Sequence, residues 1–535
     1  MAETATLNRD YVIDAKRDRL VILASSLGTA FEWYDFFVYG TLAALIGKLF
    51  FPAESETAAL LLSLATFGAG FGVRPLGAVF FGYLGDRLGR KYTFLVTITL
   101  MGLATAGVGL LPTYAQAGIA APVLLVALRL AQGLALGGEY GGAAVYVAEH
   151  APPGKRGFYT SFIQASVIGG FLLSLMVVLV SGAFVDPAHW EAWGWRIPFL
   201  FSLVLLAISL WVRLKLKESP VFQAMKDAGT TARNPLKESF ASWGNVKMVL
   251  VALFGIAAGL SVIWYTAQFQ VLYFLQSALR VDETYARLLV GAGAVFSIFW
   301  FIFFGWLSDR VGRKKPIVIG YALTLLLLFP LFNLMAQSAN PMLMQATAAI
   351  PVEVRGGDCA YNPLAANGQA NECGRILDVL SKTGVGYVKR DAPKGTPPVV
   401  TIGGVQVHST DKAGLEDALR AAGYPLDKVK PAAAGFWKIV GVIIIIGALS
   451  GMTYGPVAVL LVELFPARIR YTSLSIPYHI GTGYFGGFLP FISQYIVARS
   501  GDPFSGLWYT FAVTAMALLV TLFWLPETLG RDVRE

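Results

Sequence analysis

Charged residues make up only 14% of this sequence and hydrophobic residues 56%. Ionisable groups inside long apolar runs are therefore the places where chemistry would be concentrated, because such groups are costly in hydrocarbon and persist there for function. Glu32 and Asp35 fall inside the first apolar run and Arg129 inside the fourth. At about 1.5 Å per residue the two acids lie roughly 18 and 22 Å from the start of their run, and the same counting assigns Arg129 to their layer. Spaced three apart, Glu32 and Asp35 share a helical face. An apolar site with two carboxylates and one arginine need not keep both acids ionised, so one of them, Asp35 first, is a candidate proton carrier. Arg129 keeps its proton, so its roles would be to hold a substrate carboxylate or to tune the acids. A permanent ion pair locking the two runs together is the bland alternative.

Other polar groups surround this layer. Gln132 is three residues after Arg129, on the same face, and could donate to a substrate. Tyr34, Tyr39, Gln164, Trp264, Tyr265 and Gln268 are lining candidates that packing would explain equally well. Arg74 and Glu139 are expected nearer the cytoplasmic ends of the second and fourth runs, at similar depth, as a gate or a structural pair. His479 could titrate near neutral pH, or be structural. The sequence carries no phosphate-binding glycine loop followed by Lys-Ser/Thr, no His-Glu-x-x-His and no clustered metal ligands. An enzyme, a cofactor, a metal site and ATP-driven pumping within this chain are therefore not expected.

The elements that must position these groups are apolar stretches of about 20 residues, each long enough to cross a hydrocarbon core of about 30 Å as a helix. Twelve are expected, at 20–46, 57–84, 92–112, 120–148, 158–184, 195–215, 246–275, 284–307, 316–336, 435–464, 472–498 and 506–526. The fold class is thus an all-α polytopic membrane protein. The polar leader with Asp10, Lys16, Arg17, Asp18 and Arg19 feeds an apolar run without a small-residue cleavage site, so the first helix is expected to stay as an anchor. Lys and Arg concentrate before run 1 and after runs 2, 4, 6, 8, 10 and 12. The positive-inside rule then puts both termini in the cytoplasm of a bacterial-type inner membrane. Basic loops facing an anionic leaflet account for the net charge of +9 without nucleic acid.

One motif occurs twice. Gly82-Tyr83-Leu84-Gly85-Asp86-Arg87-Leu88-Gly89-Arg90-Lys91 follows run 2, and Gly305-Trp306-Leu307-Ser308-Asp309-Arg310-Val311-Gly312-Arg313-Lys314 follows run 8. Matching positions in two six-helix halves indicate a parallel repeat. The units are then 1–215 (first half), 216–245 (linker), 246–336 (runs 7–9), 337–434 (insertion) and 435–535 (runs 10–12 and tail). An acid in such a turn can cap a neighbouring helix and pair with arginine, so Asp86, Arg87, Arg90, Asp309, Arg310 and Arg313 are gating candidates, against a purely topogenic reading.

Segment 337–434 is polar, with ten basic and nine acidic residues. Its patterning predicts a small extracytoplasmic α/β unit: helices near 369–383 and 411–422, and strands near 385–390 and 398–408 turning at Gly403-Gly404. Both cysteines, Cys359 and Cys373, lie within it. A disulfide fits an oxidising compartment and would hold a unit with little core; two inert thiols are the alternative. With His408 as its one histidine, the segment is not expected to bind zinc.

The motif pair resembles the signature of the major facilitator superfamily. Gly28-Thr29-Ala30-Phe31-Glu32-Trp33-Tyr34-Asp35-Phe36-Phe37-Val38-Tyr39-Gly40 is similar to the first helix of its metabolite:proton symporter family. Arg74-Pro75-Leu76-Gly77, Arg129-Leu130-Ala131-Gln132-Gly133, Gly137-Gly138-Glu139 and Glu463-Leu464-Phe465-Pro466 are further matches. The resemblance spans everything except about 337–434. It implies alternating-access symport of carboxylates or zwitterions, with α-ketoglutarate, citrate, shikimate, proline and betaine among the family's substrates. It also implies that Asp86 and its basic neighbours form a cytoplasmic latch. Glu218-Ser219-Pro220 and Pro526-Glu527-Thr528 resemble the sugar porters, so a sugar or polyol porter is an alternative. A proton-independent facilitator, an exchanger and a transporter-like ligand sensor are others. The expected partners are a small organic solute, protons and lipid, with a monomer as the working unit.

Overall fold

The computed structural model describes residues 15–52, 56–88, 90–138, 140–152, 154–214, 235–357, 359–365, 368–407, 411–466 and 469–531. Within them, helix runs up and down the bundle in twelve consecutive spans. Spans 1 to 6 are Ala15–Thr41 with Ala43–Phe50, Glu56–Gly72 with Arg74–Leu88, Arg90–Leu110, Ala120–Gly137 with Tyr140–His150, Arg156–Phe184 and Arg196–Leu214. Spans 7 to 9 are Trp243–Ala278, Glu283–Val311 and Lys314–Ala339. Spans 10 to 12 are Ala433–Leu464, then Arg470–Ile480 continued by Leu489–Ser500, and Leu507–Trp524. Among the described residues, eight helices are long and apolar enough to cross a membrane, and Pro187–Gly194 with Arg196–Trp211, bent by 54°, makes a ninth. Spans 1, 3 and 11 fill the remaining places. Span 1 begins in a charged stretch and carries three acids, Asp18, Glu32 and Asp35, and span 11 is interrupted by the wide-turned segment Gly481–Gly487, so their apolar signal is weaker.

Small residues let these helices approach closely where hydrocarbon offers no hydrophobic drive. Gly133 and Gly137, one turn apart on span 4, sit against the carbonyls of Gly70 and Arg74 on span 2. This contact fixes the two arginines on spans 2 and 4 relative to each other. The halves meet likewise where spans 5 and 8 cross: a Cβ on Gly305 would stand 2.7 Å from the Gly157 carbonyl oxygen, and one on Gly157 would stand 2.5 Å from that of Gly305.

The insertion between spans 9 and 10 is an α/β unit with a four-stranded sheet of order β2-β1-β3-β4. Its strands are β1 (Val352–Gly356), β2 (Val388–Asp391), β3 (Val399–Ile402) and β4 (Val405–Val407). β1 pairs parallel with β2 (Val354↔Lys389) and antiparallel with β3 (Val354↔Val400). β3 and β4 form a hairpin whose turn, Gly403-Gly404, has φ of 58° and 86°. Two consecutive positive φ values give the left-handed two-residue turn that matches strand twist, and glycine adopts them without strain. Helices Glu372–Thr383 and Lys412–Ala421 supply Ile376, Leu377, Leu380, Leu415 and Leu419 to a core with Val354 and Val400. Cys359 and Cys373 are joined in a disulfide. Strand β1 and the helix Pro341–Ala349 add to the elements that patterning predicts. His408 lies outside the described residues.

This unit docks on one end of the bundle, the end opposite Ala15 and Trp524. The amide of Tyr387 donates to the Gly501 carbonyl (3.2 Å), Arg280 Nη1 donates to the Lys382 carbonyl (3.0 Å), and the Thr57 and Ser381 hydroxyls share a hydrogen bond (3.2 Å). Its contacts therefore reach both halves. The two ends are called below the insertion face and the termini face.

Candidate functional site

Span 1 runs between two buried arginines. Trp33, Phe36 and Tyr39 line one side of it; Arg74 stacks over the Trp33 ring at 5.1 Å, and Arg129 lies over Phe36 at 4.1 Å and Tyr39 at 4.5 Å. Asp35 falls between these two levels. Arg129 thus sits beside Phe36 and Tyr39, on the insertion-face side of Asp35. Arg74, expected nearer the termini face with Glu139, is placed halfway along span 2, beside Phe71 (5.2 Å) and the bundle centre. Glu139 lies outside the described residues.

The hydrogen bonding of these groups is incomplete. Arg74 is fully buried, and none of its three guanidinium nitrogens has a partner. Arg129, also fully buried, donates through Nη1 to Gln132 Oε1 (2.6 Å), while Nε and Nη2 have no partner. Gln132 Nε2 passes the chain on to Thr105 Oγ1 (2.7 Å), which lies at the limit of hydrogen-bond distance from the Asp35 carbonyl (3.5 Å). Asp35 and Glu32 are each 5% exposed, and Asp35 Oδ1 is unpartnered. Among the described residues, no ion pair joins Arg129 to Asp35. Buried guanidinium groups held by aromatic faces in place of carboxylates retain strong, directed demand for an anion.

Next to Arg74 is a cavity of only about 10 Å³, lined by Trp33, Ser261, Trp264, Tyr265, Tyr454 and Tyr478 among others. It has room for about one water. Its walls come from both halves. Gln164 Nε2 donates to the Tyr140 hydroxyl (2.6 Å), Tyr140 stacks on Tyr478 at 3.7 Å between ring centroids, and the Tyr478 and Tyr454 hydroxyls share a hydrogen bond. Gln268 Oε1, both polar atoms of the Gln270 side chain, Trp264 Nε1 and both ring nitrogens of His479 are buried without partners. Tyr34 is directed away from this centre, donating to the Pro198 carbonyl (2.5 Å), and Tyr39 donates to the Ser63 carbonyl (3.2 Å). Sequence reasoning missed Thr105, Tyr140, Tyr454 and Tyr478. Their signal was weak, because a tyrosine in an apolar run reads as packing until another half is placed against it.

At the termini face the second motif copy forms a bonded network. Asp309 accepts from the amides of Gly157 (2.8 Å) and Phe158 (2.9 Å), the first turn of span 5, and from Arg313 Nη1 (2.7 Å). An acid there satisfies orphan amides and complements the helix dipole. Arg313 also grips Glu463 through two parallel bonds of 3.1 Å. Glu527 accepts from the amides of Arg313 (2.8 Å) and Lys314 (3.2 Å), and the Thr528 hydroxyl donates to Glu463 (2.8 Å). Arg310 turns out of this network, over the Trp306 ring at 3.7 Å. The side chains of Asp86, Arg87 and Arg90 lie outside the described residues. Glu463 and Glu527 stand in segments that carry family resemblance, but sequence alone gives them no partner.

Comparison with known proteins agrees with this architecture. The sugar (and other) transporter family model matches residues 20–254 and 421–535. The chain is 36% identical to the inner membrane metabolite transport protein YhjE of Escherichia coli K12, over 68% of this chain and 83% of that one. It is 39% identical to the E. coli K12 shikimate transporter over 60% of this chain and 73% of the other. It is 38% identical to the glycine betaine/proline/ectoine/pipecolic acid transporter OusA of Dickeya dadantii, over 60% of this chain and 66% of that protein. Among solved structures, the D-xylose–proton symporter superposes with a TM-score of 0.61 over 96% of this chain and 99% of its own, at 18% identity. That likeness concerns the fold, which is that of the major facilitator superfamily.

Proposed function

This chain belongs to the sugar (and other) transporter family, a family of membrane transporters of small solutes, and on that premise we propose that it is a proton-coupled symporter of a small organic anion or zwitterion. The observation that carries this reading is the pair of buried, under-bonded guanidinium groups, Arg74 and Arg129, on either side of Asp35. A substrate carboxylate arriving between spans 1, 2 and 4 supplies the acceptors those donors lack. Asp35, held in apolar surroundings with an unpartnered oxygen, takes up a proton at low cost and releases it when a guanidinium approaches. Gln132 and Gln164 orient the solute, and the aromatic ring of Trp33, Trp264 and Tyr265 suits a quaternary ammonium group. The relatives that carry betaine, proline and shikimate support a ligand of this class.

Movement follows the two halves. The Asp309–Gly157 contact is a latch between the halves that must open to release solute at the termini face. That face is the cytoplasmic one by the distribution of Lys and Arg. The insertion then stands outside an inner membrane.

Proteoliposome uptake of glycine betaine, proline, succinate and xylose under an imposed pH gradient tests the reading. We expect accumulation of a carboxylate-bearing solute, collapsed by a protonophore. In Asp35→Asn, a mimic of the protonated acid, accumulation disappears while counterflow at equal pH persists. Full pH-driven accumulation by Asp35→Asn excludes Asp35 as the carrier, and uptake indifferent to the gradient excludes symport.

A further inference from the structure

Beneath the insertion lies a second, far larger cavity of about 590 Å³, within the range of small-molecule sites. Its walls come from three bodies: the ends of spans 1 and 2, the ends of spans 7, 8 and 11, and the segment around Ser381–Tyr387 of the insertion. It stands over the insertion-face mouth of the bundle, so a solute approaching the central arginines from that face meets it first.

The charges in this chamber are of both signs and are only partly neutralised. Lys48 pairs with Glu191 (2.6 Å), and Glu283 with Arg287 (3.3 Å) and Lys428 (3.1 Å). Arg280 and Glu56 also line it, and no ion pair within 4 Å joins them to each other or to other described residues. Arg280 Nε and Gln276 Nε2 are buried donors without acceptors. Arg280 is also the one described non-glycine residue with positive φ, 55°. Its carbonyl accepts from the Val429 amide (2.9 Å), and Nη1 donates to the Lys382 carbonyl (3.0 Å). The exit segment of the insertion thus holds an arginine in a backbone conformation that glycine would adopt more easily. Strain of this kind persists where the side chain has work to do.

We propose that this chamber is a second binding site, for a small zwitterion, which it captures before passage to the centre. Arg280 and Gln276 take the carboxylate; Glu56 and the face of Trp190 take the cationic end. The separated guanidinium and carboxylate form two poles that one zwitterion bridges and that a dianion does not. The insertion serves the site as its roof, supplying the Lys382 carbonyl that aims Arg280. The proposal rests on the transport reading above only for the direction of passage.

The test uses the full chain in nanodiscs with radiolabelled glycine betaine as the probe. Equilibrium binding is expected to show two sites per chain in the unmodified protein and one in both Arg280→Gly and Glu56→Gln. Glycine keeps the positive φ, so Arg280→Gly removes the side chain without moving the backbone. Loss of one charge-assisted contact weakens chamber binding by about tenfold or more. One site per chain with an affinity that neither variant changes overturns the proposal, as does equal occupancy of the chamber by succinate. Proton-driven uptake of another solute with no betaine bound at the chamber refutes this site while leaving the symport reading intact. Uptake indifferent to the gradient, with two betaine sites present, does the reverse.

Discussion

Asp309→Asn isolates the contact between the halves at the termini face. The Asp309 side chain is 5% exposed and accepts three hydrogen bonds, two of them from span 5 of the other half. Only those two must break when the face opens, because the Arg313 bond is internal to the second half. The amide retains one acceptor, turns a donor toward the second N–H and removes the charge favoured by the helix end. A hydrogen bond to a charged group contributes about 1.5–3 kcal/mol and a partly buried charge at a helix end up to about 2 kcal/mol. Those effects overlap and one bond survives, so the net loss is about 3 kcal/mol, or roughly a hundredfold in the ratio of closed to open. Ser161 is fully buried beside Gly305, at the crossing of spans 5 and 8, and there is no free cysteine to compete with a reporter placed there. Maleimide labelling of Ser161→Cys tracks the open population when reclosing is fast. In the Asp309→Asn background it should run about a hundred times faster than with Asp309 intact. A change of less than about threefold in a folded protein would show that the latch does not hold the face closed.

Three further outcomes are expected. Arg74→Lys and Arg129→Lys keep charge but lose the planar fork, and each should raise the half-saturating concentration of a carboxylate substrate by about tenfold in both accumulation and counterflow; unchanged values would remove these side chains from the binding site. Replacing Cys359 and Cys373 by serine opens a loop with a sequence separation of 14, which should cost the insertion about 3 kcal/mol. Limited proteolysis should then cut the insertion much faster before transport declines, and an equally resistant insertion would contradict this. Glu527 is pushed up by burial but held below the usual carboxylate range by the amides of Leu529, Arg313, Lys314 and Thr528. Its folded-state pKa is therefore the lower one: its contribution to the stability of the second half, where all of these amides lie, is complete at neutral pH and is lost as pH falls through the carboxylate range. Thermal unfolding should therefore fall in midpoint on acidification, and Glu527→Gln should flatten that component; an identical acid limb in Glu527→Gln would assign it elsewhere.

The sequence by itself determined the spans, because a backbone in hydrocarbon has few choices and each crossing needs its own apolar length. It also carried the Gly403-Gly404 hairpin and the α/β character of the insertion, both local signals. Asp35 and Arg129 stood out for the same reason: a charge in an apolar run is visible without a neighbour. Arg74 was visible too, but its level in the bundle depends on how closely Gly133 and Gly137 draw span 4 onto span 2, and that closeness belongs to the packed pair. The partners of Asp309, Glu463 and Glu527 lie up to 214 positions away in the chain, and no spacing rule reaches that far. The chamber under the insertion was likewise undecidable from one dimension. Arg280 looks like any loop arginine until Val429 and Lys382 close around it and bend its backbone, and Glu56 becomes its opposite pole only when two halves and an insertion meet at one face.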